Sequence, residues 1–296
     1  MAANFFQSTT AFQTVLNPVL EATWSAFPHL APNQIALTWI VYEPPYQVNT
    51  GGALSAEAFW QYQPQGASYR GVELIEPMGA VSLFYLVAAQ VWLEQGMLTA
   101  SAELERAIQD MAAGSTDAMS YVVDALSGTT SGPELPPGPA ATWQQQRNIV
   151  NRYFQQLSWP ELRAVNINQK VWCDRPYGRE RDFFGDIREN KNLLSTEAIS
   201  RLLHSIVGGV SVSSQRSQLM LGLLEQTGAS STQFSLFGNH NLLSYSATYL
   251  ELPDTHPYLL TVFVEGKDLE KNAAIRAFIE QQISEKISDI SFEVPQ

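Results

Sequence analysis

Apolar and polar positions alternate with period two in the run IALTWIVY at 35–42, where Ile35, Leu37, Trp39 and Val41 share one side and the other side is mixed, which predicts a strand. Residues 58–62 predict a second strand, reached through Pro44, Pro45 and the Gly51-Gly52 pair. From 79 to 95 the period becomes helical and apolar residues occupy nearly every face, as in a helix enclosed on all sides by protein. Amphipathic helices follow, marked by Leu104, Ile108 and Met111, then by Tyr121, Val122, Ala125 and Leu126, then by Ile149, Tyr153, Phe154 and Leu157. Between the last two, SGTTSGPELPPGPA at 127–140 has turn chemistry and reads as a long surface loop. Residues 158–192 have no clean period and contain Pro160, Pro176, Gly178 and Gly185, so they read as a long irregular excursion of the kind that carries function. Helices resume at 196–207 and 215–224, three antiparallel strands follow at 232–236, 241–252 and 257–265, and a helix with Ala274, Ile275, Phe278, Ile279 and Ile283 on one stripe closes the chain.

Strands, helices, strands and a last helix, in that order, predict an α+β fold whose sheet is completed by distant parts of the chain. The expected organisation is an N-terminal helical segment at 1–33 and one domain at 34–296. In that domain 34–78 and 225–296 supply an antiparallel sheet flanked by helices, and 79–224 an all-helical part.

Charge narrows the function classes. The chain has 17 basic and 29 acidic residues, a formal net charge of −12, and only 16% charged residues. The first positive side chain is Arg70 and the first lysine Lys170, which disfavours nucleic acid as a partner, because phosphate binding needs a basic footprint. The same absence argues against a secretory signal peptide, and the apolar run at 80–93 is too short to span a bilayer. With a single Cys173, and so no internal disulfide framework, the expectation is an acidic cytoplasmic protein without a membrane span.

Four stretches resemble class A β-lactamases and related penicillin-interacting serine hydrolases, in particular a branch without signal peptides: EPMGAVSLFYLVAAQVWLEQG at 76–96, STDAMSYVVDALSGTTSGPEL at 115–135, QKVWCDRPYGRERDFFG at 169–185 and SYSATYLELP at 244–253. The resemblance implies a β-lactamase/transpeptidase-like fold. It also implies three motifs: Ser-x-x-Lys at the start of the buried helix, with nucleophile and lysine on one helical face; Ser-x-Asn on a neighbouring loop; and Lys-Thr-Gly on a strand, with backbone N–H groups holding the oxyanion.

Alignment on LFYLVA places Gly79 at the nucleophile and Ser82 at the lysine, the Ser-x-Asn motif on Gly114, Ser115 and Thr116, and the Lys-Thr-Gly motif on Leu236, Phe237 and Gly238. Only the last glycine remains. No shift of register repairs this, because Ser-x-x-Lys occurs nowhere in the chain and no lysine lies between Lys191 and Lys267. Glu180 falls in the excursion that in the family carries the deacylating carboxylate, and without an acyl-enzyme it is a vestige. Its neighbours Asp174, Arg175, Arg179, Arg181 and Asp182 are of mixed sign and read as pinning that segment to its own protein.

The residues therefore predict a pseudoenzyme that binds a protein partner. A second reading is a serine hydrolase with rebuilt machinery, using Ser82 or Ser115 with Glu180 as base, although Ser115 also suits a helix cap. A third is a module for a small carboxylate or apolar ligand. By the resemblance, the N–H groups of Gly79 and Asn239 converge on the former oxyanion position, giving a pocket of Gly79, Ser82, Ser115, Phe237 and Asn239 with Leu236 and Phe237 as apolar wall. Cys173 with His29, His204, His240 or His256 reads as packing, not catalysis. The histidines lack metal-ligand spacing, and no Gly-rich phosphate loop or G-x-S-x-G elbow occurs, so neither metal nor cofactor is expected.

Overall fold

Strand β2 (Ile35–Val41) is buried at every position, and this explains its mixed second side: both faces of the strand are covered. Ile35, Leu37, Trp39 and Val41 pack in one core with Phe12, Leu16, Val19 and Leu20 of helix α1 (Thr10–Ala26) and with Ile275, Ile279 and Ile283 of helix α11 (Leu269–Lys286). The alternate residue Thr38 meets Thr196 of helix α9 (Thr196–Val207) on the other face, their hydroxyl oxygens 2.8 Å apart. A second buried hydroxyl pair at 2.8 Å, Ser200 to Thr261, docks α9 on strand β6 (Tyr258–Glu265).

The computed structural model describes residues 4–43, 55–171, 176–226, 232–240, 242–252 and 255–287. These form two compact units, Met1–Glu73 with Ser195–Gln296, and Leu74–Leu194. The first holds a six-stranded sheet in the order β1-β3-β2-β6-β5-β4, where β1 is Gln7–Ser8, β3 Gln65–Tyr69, β4 Thr232–His240 and β5 Leu243–Glu251. Every pairing is antiparallel except that of β1 with β3. The N-terminal segment thus supplies an edge strand as well as the expected helix. Helices α9 and α10 (Ser214–Leu224), which the sequence pattern grouped with 79–224, fall in the sheet unit, because the hydroxyl pairs of α9 are made to the sheet.

The strand expected at 58–62 is helix α2 (Ala56–Gln61). The side chain of Ser55 accepts a hydrogen bond from the N–H of Ala58 and Glu57 sits in the first turn, start signals that outweigh a five-residue apolar pattern too short to distinguish strand from helix. The neighbouring strand is β3, which the pattern passed over because it contains Gly66. That glycine is required by close approach, since a methyl group there would lie 2.3 Å from the carbonyl oxygen of Trp39.

In the Leu74–Leu194 unit the helices are α3 (Ser82–Glu94), α4 (Ala102–Ala112), α5 (Thr116–Ser127), α6 (Pro137–Arg147), α7 (Ile149–Gln156) and α8 (Gly178–Phe184). Every residue of α3 from Ser82 to Trp92 is buried, as its all-round apolar pattern requires. Helix α6 starts inside the stretch read as loop; Pro137 at its first position lacks an N–H that would in any case have no helical partner. The excursion at 158–192 contains a short 3₁₀ turn at Pro160–Leu162 and α8, and returns through a bridge between Asn166 and Leu193.

Candidate functional site

The residues expected to line one pocket belong to both units, Gly79, Ser82 and Ser115 to one and Phe237 and Asn239 to the other, and each is placed within its own. Gly79 lies in a 3₁₀ turn at Met78–Val81 that leads into α3. Met78 before it has φ +48, a left-handed backbone for a residue with a side chain, so this turn holds strain of the kind that collects at functional sites. Ser82 opens α3 and is 3% exposed. Gly114, with φ +98, makes the corner between α4 and α5, where Ser115 is the N-cap, accepting from the N–H of Ala118 at 3.2 Å, and Thr116 is the first helical residue.

On β4, Leu236 and Phe237 point to opposite sides, as neighbours on a strand must: Leu236 is 6% exposed and Phe237 55%. The expected apolar wall of Leu236 and Phe237 is thus split between the two faces of β4. Gly238 is paired with Tyr245, and a methyl group on it would lie 2.7 Å from the tyrosine oxygen, so the glycine has a packing reason of its own. Burial pushes the Tyr245 hydroxyl up to about 12, with Arg276 pulling the other way.

Glu180 is the centre of a charged cluster in the Leu74–Leu194 unit in which the carboxylate and both cations are buried. It is fully buried on α8 and its Oε1 is paired with Arg147, the last residue of α6, whose side chain is also fully buried. Ser131 Oγ donates to the same Oε1 at 2.9 Å, and Lys170 Nζ lies 3.6 Å from it. Lys170 in turn donates to Ser131 Oγ and to Asp124 Oδ2, both at 2.8 Å, while Arg147 Nη2 lies 3.1 Å from Asp124 Oδ1. Trp143 covers the guanidinium of Arg147, its ring centroid 4.8 Å away. Beside the cluster, Tyr85 donates to the carbonyl of Gln169 at 2.7 Å, and burial holds its hydroxyl well above the usual range, Arg147 opposing.

The backbone closes the same clasp. The N–H of Arg179 donates to Gly132 O at 3.1 Å, Arg179 Nε to Pro133 O at 3.0 Å and Arg181 Nη2 to Glu134 at 2.8 Å, so 131–134 and 179–181 are zipped residue by residue. Gly178 has φ +52, and a methyl group there would lie 2.1 Å from Gly132 O. Gly178→Ala is therefore expected to cost about 1–3 kcal/mol and to open this segment first. Limited proteolysis should cut the variant near 176–190 under conditions that leave the wild type whole.

The cluster does not contain either serine proposed for a rebuilt hydrolase: the hydroxyl that reaches Glu180 is that of Ser131. Oε1 receives Ser131 and faces two cations, and the oxygen of Ser131 accepts from Lys170. Sequence reading isolated Glu180 but missed Asp124, Ser131, Arg147 and Lys170. The available signal was the presence of buried-pattern charges in a chain with so few. Asp174, Arg175 and Cys173 lie outside the described residues.

His204 is 1% exposed in the sheet unit, with Tyr42 Oη 2.8 Å from its Nδ1 and the Phe59 ring centroid at 4.6 Å. Burial, aided by the charge of Arg201, lowers its pKa to about 3, so the ring is neutral at pH 7. Among the described residues no group of three or more His, Cys, Asp or Glu side chains could hold a metal ion, and no helix is long and apolar enough to cross a membrane.

The fold so built is that of the β-lactamases and penicillin-binding enzymes. Similar solved structures include PBP-A, 12% identical over 96% of this chain and 98% of that one with a TM-score of 0.62. The β-lactamase of Sphaerobacter thermophilus is 13% identical over 93% and 99% with a TM-score of 0.59, and the TLA-1 extended-spectrum β-lactamase 9% identical over 94% and 100% with a TM-score of 0.62. At such identities the likeness concerns the fold alone. No protein-family model matches the sequence, and no curated protein is significantly similar to it.

Proposed function

We propose that this protein is a non-catalytic, cytoplasmic relative of the serine β-lactamase-like hydrolases that acts by binding a protein partner. The observation that carries the reading is the turn at Met78–Val81: its strained backbone leads into a helix buried from Ser82 to Trp92, as a nucleophile turn would, yet it presents Gly79, which has no side chain to form an acyl-enzyme. A variant of PBP-A has been solved as an acyl-enzyme with penicillin G, whereas α3 of this chain contains no lysine to activate any hydroxyl. Ser115 is engaged as a helix cap and Ser131 is bound within an ion-pair cluster, which supports the same conclusion.

Intact-mass measurement after incubation with a fluorescent penicillin and a reactive fluorophosphonate tests it. The folded protein is expected to carry no stoichiometric adduct of either probe. An adduct on the folded protein, absent from a heat-denatured control, would identify a reactive serine and overturn the proposal; affinity capture with the folded chain is the route to the partner.

A further inference from the structure

The chain leaving α8 turns sharply at 185–190 and holds Ile187 out in solvent, its side chain 86% exposed, more than any other large apolar residue among those described. An apolar side chain exposed alone is ordinary, but here everything around it is fixed. Gly185 with φ +85 and Arg188 with φ +62 set the bend, the N–H of Arg188 donates to Gly185 O at 3.1 Å, and the N–H of Asn190 donates to Phe184 O at 3.2 Å. The Asn190 amide donates to Phe183 O at 2.7 Å. The N–H of Ile187 itself donates to Glu189 Oε2 at 3.1 Å, and that carboxylate folds back so closely that a methyl group on Gly185 would lie 2.1 Å from it. Arg188 ties the turn to the rest of the unit: its guanidinium lies over the Phe184 ring, 5.4 Å from the centroid, and its Nη2 donates to both oxygens of Glu76. Leu74, two residues before Glu76, is exposed as well, while Ile75 between them is buried in a bridge to Leu194. Leu74 and Ile187 therefore flank one ion pair.

Holding a stiff, β-branched side chain in solvent on left-handed backbone gains nothing within this protein. It suits insertion into another one, because a knob already held in place loses little freedom on binding. The charge around the knob defines the rim of the pocket that receives it. Asp186 and Glu189 form no ion pair among the described residues, whereas Arg188 between them is taken by Glu76, and Arg181 by Glu134. An acidic rim in a chain of net charge −12 repels nucleic acid and anionic lipid, and a second copy of the chain would set acid against acid. We propose that the turn at 185–190 is a docking knob for a protein that presents an apolar pocket rimmed by lysine or arginine, with Ile187 inserted and Leu74 at the margin of the contact. This rests on the protein-binding reading above and names the surface that performs it.

Photocrosslinking through residue 187 tests it. The full-length protein with Ile187 replaced by a photoreactive diazirine amino acid is irradiated in lysate of the cells that make it, with the same group at exposed Tyr121 on α5 as control. The protein joined only through 187 is then purified and its complex with the wild-type chain rebuilt. Ile187→Asp leaves the unfolding curve unchanged, because the side chain is in solvent, and is expected to raise the dissociation constant of that complex about tenfold or more. Asp186→Asn is expected to slow association, as added salt does, and Tyr121→Ser to change neither rate nor affinity. No adduct through 187, or a complex indifferent to Ile187→Asp, would overturn the docking knob. In the second case the binding of a protein partner stands and only its surface is wrong, whereas a penicillin adduct on the folded chain would overturn the reading beneath it.

Discussion

Glu180→Leu is expected to lower the unfolding free energy by about 3–5 kcal/mol, and Arg147→Met by a similar amount, because each leaves an opposite charge buried without its main partner. The two side chains are fully buried and paired with each other, so no solvent screening softens the loss. The double variant is expected to lose far less than the sum, since it removes both charges and restores apolar volume between Trp143, which covers Arg147, and α8. Urea unfolding of the four proteins, followed by circular dichroism, measures this cycle. Additive losses would mean that Glu180 and Arg147 act separately, Glu180 through Lys170 and Ser131 and Arg147 through Asp124, and that their direct pair contributes little.

Acid is expected to destabilise the protein through His204. Its folded pKa is about 3 against about 6.5 in an unfolded chain, so the unfolded state binds the proton first as the pH falls. The stability held by the neutral ring is complete above about pH 6.5 and is lost progressively down to about pH 3, about 3 kcal/mol of it between pH 7 and pH 4. His204→Gln keeps a polar group in reach of Tyr42 but does not titrate. The stability gap between wild type and variant, measured by urea unfolding at several pH values, should therefore shrink or reverse from pH 7 to pH 4. A gap independent of pH would show that His204 becomes protonated without loss of the fold.

Much of the fold was legible because burial leaves a periodic trace in one strand or one helix at a time. The all-apolar pattern of α3, the alternation in β2 and the stripe of Ile275, Ile279 and Ile283 each follow from one element meeting one environment. Errors came where the trace is short or absent. Five residues at 58–62 fit a strand as well as they fit the α2 helix, β1 has only two residues, and β3 hides behind Gly66. The candidate site was legible only in part. Glu180 stood out by its charged neighbours, but its partners lie 33, 49 and 10 positions away, at Arg147, Ser131 and Lys170, and no local spacing links them.

By itself the sequence determined the absence of Ser-x-x-Lys, the acidic balance and the elements whose period is strong, because these depend on residue identity and local geometry alone. Only the tertiary structure decided that Leu236 and Phe237 face opposite ways, that Gly238 makes room for Tyr245, and that a serine beyond either of those first considered touches Glu180. Those facts depend on which distant segments meet, and a buried charge in particular finds its partner through the convergence of α5, α6, α8 and the chain at Lys170, a property of packing that no stretch of the chain carries alone.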